Sequence, residues 1–173
     1  MIQNSHLLQT NVHQDNRGQF EVFWEEHLLA EAGIQFQPTN AHHSYNVAAG
    51  TMRGMHFQKT PHGQSKLVSC VSGSVWDVMV DLRPESKTFR QWSAHQLDAA
   101  SGKAIYIPAG CAHGFLTLTD NTTIAYLIEG DYQPGAGRVL HWDDPDVGID
   151  WPSEVKVISE TDANAPKWDQ CEF

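Results

Sequence analysis

The sequence predicts an all-β fold, a sandwich or closed barrel of short strands with short peripheral helices. Three observations carry that prediction. One segment alternates with the strand period: from Val75 to Leu82, Trp76, Val78, Val80 and Leu82 form one file, while Val75, Asp77, Met79 and Asp81 form the other. Further strand-like runs lie at 66–72, 104–107, 113–118 and 123–129. They are separated by turn signals at Val71-Ser-Gly-Ser74, Pro108-Ala-Gly110 and Asp120-Asn121. Only one window, Glu25 to Ala32, reads as helix; alanine, leucine and glutamate favour it for about two turns and Gly33 supplies a stop.

The length of 173 residues suggests a single domain spanning 1–173, and 40% hydrophobic with 18% charged residues supplies enough apolar side chain for a core. Eleven Lys+Arg against 21 Asp+Glu give a net charge of −10. The resulting field repels polyphosphate, so nucleic acid and anionic membrane are poor partners. No apolar run approaches the roughly 20 residues of a membrane helix, and the first residues lack a basic flank and an apolar signal core. A cytoplasmic protein is expected. Cys70, Cys111 and Cys171 are odd in number and widely spaced, which reads as three reduced thiols. The stretch from Trp142 onward is rich in proline, aspartate and tryptophan, opposes a long helix and is expected to wrap the barrel.

Chemistry concentrates in a few places. Ile107-Pro-Ala-Gly-Cys-Ala-His-Gly-Phe115 sets His113 just after a Pro-x-Gly turn, and this block resembles the second motif of cupins, the double-stranded β-helix jelly rolls. A cupin metal site needs an His-x-His pair and a glutamate to converge on the ion. Here His56 has Gln58 two positions on, and Lys66 adds a cation that repels a metal, so no metal centre is expected. By strand parity Lys66 files with Val68 and Cys70, Tyr126 with Ile124 and Ile128, and His113 with Phe115 and Thr117. Singly, these read as a solvated lysine, a core tyrosine and a structural histidine. Together they favour a polar ligand cavity in the barrel mouth.

With these blocks in place the sequence resembles the dTDP-4-dehydrorhamnose 3,5-epimerase family. The match runs through Asp15-Asn-Arg-Gly18, Gly50-Thr-Met-Arg-Gly-Met-His-Phe-Gln58, Gln64-Ser-Lys-Leu-Val68, Gly73-Ser-Val-Trp-Asp-Val78, Val80-Asp-Leu-Arg83, the His113 block, Tyr132-Gln-Pro134, Trp142-Asp-Asp-Pro145 and Ile149-Asp-Trp-Pro152. The resemblance implies a cupin jelly roll that epimerises a nucleotide-linked 4-keto-6-deoxyhexose, and a homodimer in which N-terminal strands exchange. It implies that His56 and Asp162 form the basic dyad and that Tyr126 is the acid on the other face of the sugar. Lys66 would lie by the C4 oxygen, Arg17 and Arg53 on the diphosphate, His113 on the substrate and Tyr132 stacked on the nucleobase.

Elementary chemistry supports that set. Inverting a carbon beside a ketone requires a base and an acid flanking the ring, and a fixed cation to hold the enolate oxygen, all in a water-excluded pocket. Neither a redox cofactor nor a metal is required. The chain departs from the family pattern around the nucleotide. Asn40-Ala-His42 stands where Gln-x-Asn is common, Val22 and Gly137 replace glutamates, and Thr161 replaces a lysine beside the dyad aspartate. Asn40 and His42 are therefore candidate ligand contacts, against the plainer reading of His42 and His43 as exposed loop histidines and of Arg17 as a turn residue paired with Asp15. Two other functions are weighed: a metal-dependent cupin oxygenase or isomerase using His56 and His113, and a non-catalytic sugar-nucleotide-binding cupin. Retention of Lys66, Tyr126 and Asp162 together argues against the latter.

Overall fold

The computed structural model describes residues 1–173. Its strands are β1 (His6–Gln9), β2 (Val12–Asp15), β3 (Gly18–Glu21), β4 (Asn40–Asn46), β5 (Met52–Gln58) and β6 (Ser65–Ser72), followed by β7 (Ser74–Asp81), β8 (Trp92–Asp98), β9 (Lys103–Ile107), β10 (Cys111–Thr117), β11 (Thr122–Glu129) and β12 (Gly137–Val139). Two short helices, α1 (Glu26–Ala30) and α2 (Glu160–Ala163), and one 3-10 turn at Trp168–Gln170 complete the elements. No helix is long and apolar enough to cross a membrane.

The strands form two five-stranded antiparallel sheets, ordered β1-β9-β6-β11-β4 and β12-β5-β10-β7-β8, while β2 and β3 pair as a separate hairpin. The parity of 75–82 becomes the layering of the molecule. Val75 and Met79 face between the sheets, in a core shared with Val68, Cys70, Ile105, Phe115 and Ile124. Trp76, Val78, Val80 and Leu82 face the other way and are covered by Leu140 and by Val147, Trp151 and Trp168 of the C-terminal stretch, which wraps this sheet as anticipated. Leu29 and Phe36 cover the outer face of the first sheet through Leu8, Leu67 and Tyr106. Both outer covers remove apolar surface that a lone sandwich would leave in water.

Charge enters the inner file at two points. Asp81 is wholly buried; burial raises its carboxyl pKa, but donors from Arg83, Ser86 and Thr88 outweigh that and pull it to about 2. Arg83 also donates to Gln3 O at 2.7 Å, which ties the N-terminal segment, with Ile2 in the core, to the end of β7. Asp77 is the second point and lies behind the cavity, bonded to His113.

Three sequence readings change. The helix is five residues long, shorter than the window at 25–32, and its first turn lacks a side-chain cap. Strands β1 to β5, β8 and β12 lie outside the strand-like runs. Consequently His42 and His43 stand on strand β4 rather than in a loop, although both are exposed as expected.

Candidate active site

Register aligns the polar side chains. His113 on β10 and His56 on β5 are direct cross-strand partners, and two residues further on Phe115 pairs with Arg53. Three steps along β5 thus match two along β10, which is a β-bulge at Gly54–Met55. In a regular strand Arg53 and His56 would face opposite ways; the extra residue turns both toward the cavity while Met55 packs into the outer layer. Gly54 makes the bulge possible. Its φ is +139°, and a Cβ there would lie 2.5 Å from Gly114 Cα.

The His56 imidazole is fixed from behind. Its Nε2–H donates to Asp162 Oδ1 at 2.8 Å, while Asp162 Oδ2 accepts from Gly54 N–H at 3.2 Å. Ser159 caps α2 by accepting from Asp162 N–H, so the dyad carboxylate rides on a capped turn. Burial raises the Asp162 pKa, but the bonds from His56, Gly54 and Ser159 prevail and hold it ionised below the usual carboxylate range. With Nε2 committed, Nδ1 of His56 presents the free lone pair.

Across the cavity, on the opposing sheet, Tyr126 of β11 lies 3.0 Å from Ser44 Oγ on β4. Burial raises the phenol above its ordinary value, against the Ser44 bond, so it carries its proton at neutral pH. Its ring meets His113 edge-on at 6.2 Å between centroids. His113 Nε2–H donates to Asp77 Oδ2 at 2.8 Å. Burial lowers the His113 pKa and Asp77 only partly restores it, which leaves the imidazole neutral. Lys66 on β6 is pushed down to about 8 by burial, with Asp77 and Cys111 pulling the other way.

His56, Tyr126, Lys66, His113, Arg53 and His42 line one hollow of about 290 Å³. His56 and Lys66 also line a second of about 270 Å³, together with Tyr132, Gln58, Gln64 and Arg138. Two joined hollows suit a ligand with two parts, a reacting ring and a larger appendage. Gly137 lines the second hollow, and Thr161 lines a groove behind Arg53 and Asp162, so two of the three remaining departures from the family pattern fall at the edges of the cleft.

Some expectations meet a different geometry. Arg17 lies at the tip of the β2–β3 hairpin, paired with Asp15 at 2.5 Å and with its side chain 86% exposed, in a hollow that shares no residue with the cleft. Asn40 bonds Thr39 and lines none of the hollows around His56. The His56 side chain is 46% exposed, so the cleft of one chain is open to water where a water-excluded pocket was expected. Conversely, Asp77, Ser44 and Asn46, which accepts from Arg53 Nε at 2.7 Å, were not anticipated. Asp77 had a signal: a carboxylate inside the apolar file of β7 needs a buried partner. No group of three or more His, Cys, Asp and Glu side chains converges as metal ligands, and both imidazoles spend Nε2 on a carboxylate.

A jelly roll holding an oriented imidazole and a protonated phenol on facing walls, with an ammonium beside them, has the equipment of a carbohydrate epimerase. The family model described as dTDP-4-dehydrorhamnose 3,5-epimerase matches residues 1–170. The chain belongs to that family. It is 40% identical over 157 residues to a dTDP-4-dehydrorhamnose 3,5-epimerase of Sinorhizobium fredii, covering 88% of this chain and 78% of that one. It is likewise 40% identical to a dTDP-4-dehydrorhamnose 3-epimerase of Streptomyces niveus over 87% of this chain and 73% of that one. Among solved structures, a dTDP-6-deoxy-D-glucose-3,5-epimerase of Legionella pneumophila in complex with dTDP-4-keto-L-rhamnose superposes with a TM-score of 0.89 at 33% identity, over 96% of this chain and 88% of that one.

Proposed function

We propose that this chain epimerises a nucleotide-linked 4-keto-6-deoxyhexose at the carbons flanking the ketone, as one step of deoxysugar biosynthesis, the 173 residues acting as one domain. The observation that carries the reading is that His56 and Tyr126 approach a common hollow from opposing sheets, with Lys66 and His113 lining the same hollow. In this reading His56 Nδ1 removes the proton beside the C4 ketone, and ionised Asp162 stabilises the imidazolium that forms. Negative charge moves to the C4 oxygen, where the Lys66 ammonium stabilises the enolate, while His113, its Nε2–H held by Asp77, offers Nδ1 as an acceptor to a sugar hydroxyl. Tyr126 returns a proton to the opposite face of the carbon. Exchange with solvent then resets base and acid.

Arg53 takes the diphosphate with its planar fork, and Tyr132, 72% exposed at the rim, offers a face for the nucleobase. His42, the cross-strand neighbour of Tyr126, contacts the sugar, and Asn40 lies further out along the same strand. Arg17 reaches a cleft only in a homodimer whose N-terminal hairpins exchange. Support for that comes from the exposed hairpin, with Phe20 65% exposed, and from the open cleft of the single chain. Three free cysteines support a reducing, cytoplasmic setting.

The test is proton exchange in heavy water with dTDP-4-keto-6-deoxyglucose and its CDP, GDP and UDP counterparts. NMR should find deuterium at C3 or C5 with one of them; no incorporation with any overturns the assignment. His56→Ala should abolish exchange while ligand binding stays within about tenfold.

A further inference from the structure

The inner face of the second sheet carries polar groups that this chemistry leaves unused. Asp77 is wholly buried; its Oδ2 accepts from His113, yet its Oδ1 finds no partner within the protein. On β8, His95 is the direct cross-strand partner of Asp77, and Ser93, the partner of Met79, lies one pleat away on the same face. His95 Nε2 and Ser93 Oγ are buried and unpartnered too. Three orphaned polar atoms on adjacent strands are complementary: a carboxylate that can only accept, an imidazole nitrogen and a hydroxyl. Cross-strand partners hold their Cβ atoms about 5 Å apart, a spacing at which one internal water bridges short side chains.

We propose that His95 is a positioning residue for the epimerase reaction: as its Nε2–H tautomer, with Ser93 and one internal water, it holds Asp77 Oδ1. Asp77 is then shared between two imidazoles, and its hold on His113 is set from the far side. The role given to His113 rests on the epimerase reading; the array of three side chains does not. Every charged neighbour enters the balance. Asp77 acts on Lys66 and Cys70 of β6 and Tyr126 of β11, and His113 faces Lys66 and His56. His95 feels Asp77, Lys103 of β9 and the N-terminal amine. Burial lowers the pKa of both His95 and His113, against the pull of Asp77, so at neutral pH each ring has a single N–H. Sharing one carboxylate fixes that N–H at Nε2 on both rings.

The sign of a perturbation follows. Removing the His95 donor leaves Asp77 with one donor fewer, so its carboxylate draws harder on His113 and raises that imidazole's titration midpoint. Side-chain ¹⁵N NMR on the intact protein should find His95 and His113 both as Nε2–H tautomers. In His95→Leu the His113 midpoint should rise by about half a pH unit or more. The pH profile of kcat should move with it, and kcat should fall about threefold to tenfold with KM within about twofold. His95→Gln, which keeps an N–H at similar reach, should restore both. A wild-type His95 in the Nδ1–H form, or a His113 midpoint unmoved in His95→Leu, overturns the proposal. Should His95→Leu not fold, the wild-type tautomer and the His95→Gln profile still decide it. The NMR arms need no substrate, so failure of the substrate assignment and failure of the array are read separately.

Discussion

Burial pushes the Lys66 ammonium down to about 8 from 10.5, so the group that steadies an enolate is itself held at a cost. Two outcomes of opposite sign follow. Since a neutral amine cannot neutralise an oxyanion, kcat/KM should fall as pH rises through about 8. Stability should respond in the other direction. A lysine whose folded value is depressed binds its proton more weakly in the folded chain than in the unfolded one. Folding therefore bears the full penalty below about pH 8, and the penalty fades as pH climbs toward 10.5. Lys66→Met removes the buried charge. Because the cavity is open to water, the gain in stability should be about 1–3 kcal/mol, read as a rise of a few degrees in Tm. The same substitution should cost about 100- to 1,000-fold in kcat, measured by loss of the substrate ketosugar signal in NMR. A variant that lost both stability and activity would instead assign Lys66 a structural part.

The strand elements show why some of this site is legible in the sequence and some is not. Period-2 reading works wherever the strand is regular. It set Lys66 with Val68 and Cys70 and put Trp76, Val78 and Val80 in one file, which the structure turns to the outer face. It fails at β5, where Arg53 and His56 are three apart and yet share a face, because the bulge at Gly54 depends on the neighbouring Gly114 rather than on any local pattern. Ser44 and Asn46 escape for a related reason: an exposed, polar edge strand has no apolar alternation to reveal it. Asp162 is distant from His56 in sequence and is positioned by a four-residue turn, so only the family resemblance pointed to it. The bulge gives a prediction at this scale. In Gly54→Ala the new Cβ would press on Gly114 Cα at 2.5 Å, in a backbone conformation alanine avoids. Urea titration should show a loss of about 2–4 kcal/mol, since strain and displaced backbone add. The folded fraction should have kcat reduced at least about 100-fold, because Arg53, His56 and the Gly54 N–H that holds Asp162 all move with that peptide. An enzyme of ordinary stability and activity would show that the strand tolerates a regular register.

At the scale of the whole molecule the unresolved relation is between Arg17 and the cleft. Within one chain the guanidinium is exposed and paired only with Asp15, on a hairpin whose hollow shares no residue with the active site. An exchanged dimer would bring that arginine to the partner's diphosphate and cover the exposed side of His56 in the same movement. Trans action can be separated from a merely local ion pair by complementation. Arg17→Ala and His56→Ala proteins are each prepared, unfolded together in equal amounts and refolded. If Arg17 serves the other chain's site, a mixed dimer contains one cleft with intact His56 from the first chain and intact Arg17 from the second, while its other cleft carries both lesions. With random pairing half of the dimers are mixed, so about a quarter of all clefts are whole and, assayed at substrate well below the wild-type KM, about a quarter of wild-type kcat/KM returns. If Arg17 serves its own chain, every cleft carries at least one lesion and the mixture is no more active than Arg17→Ala alone. Arg17→Ala should raise KM about tenfold or more with a smaller change in kcat, since a lost phosphate contact weakens ground state and transition state alike. The recovered activity should accordingly show the wild-type KM, and a recovered fraction that kept the raised KM would return Arg17 to the role of a turn residue.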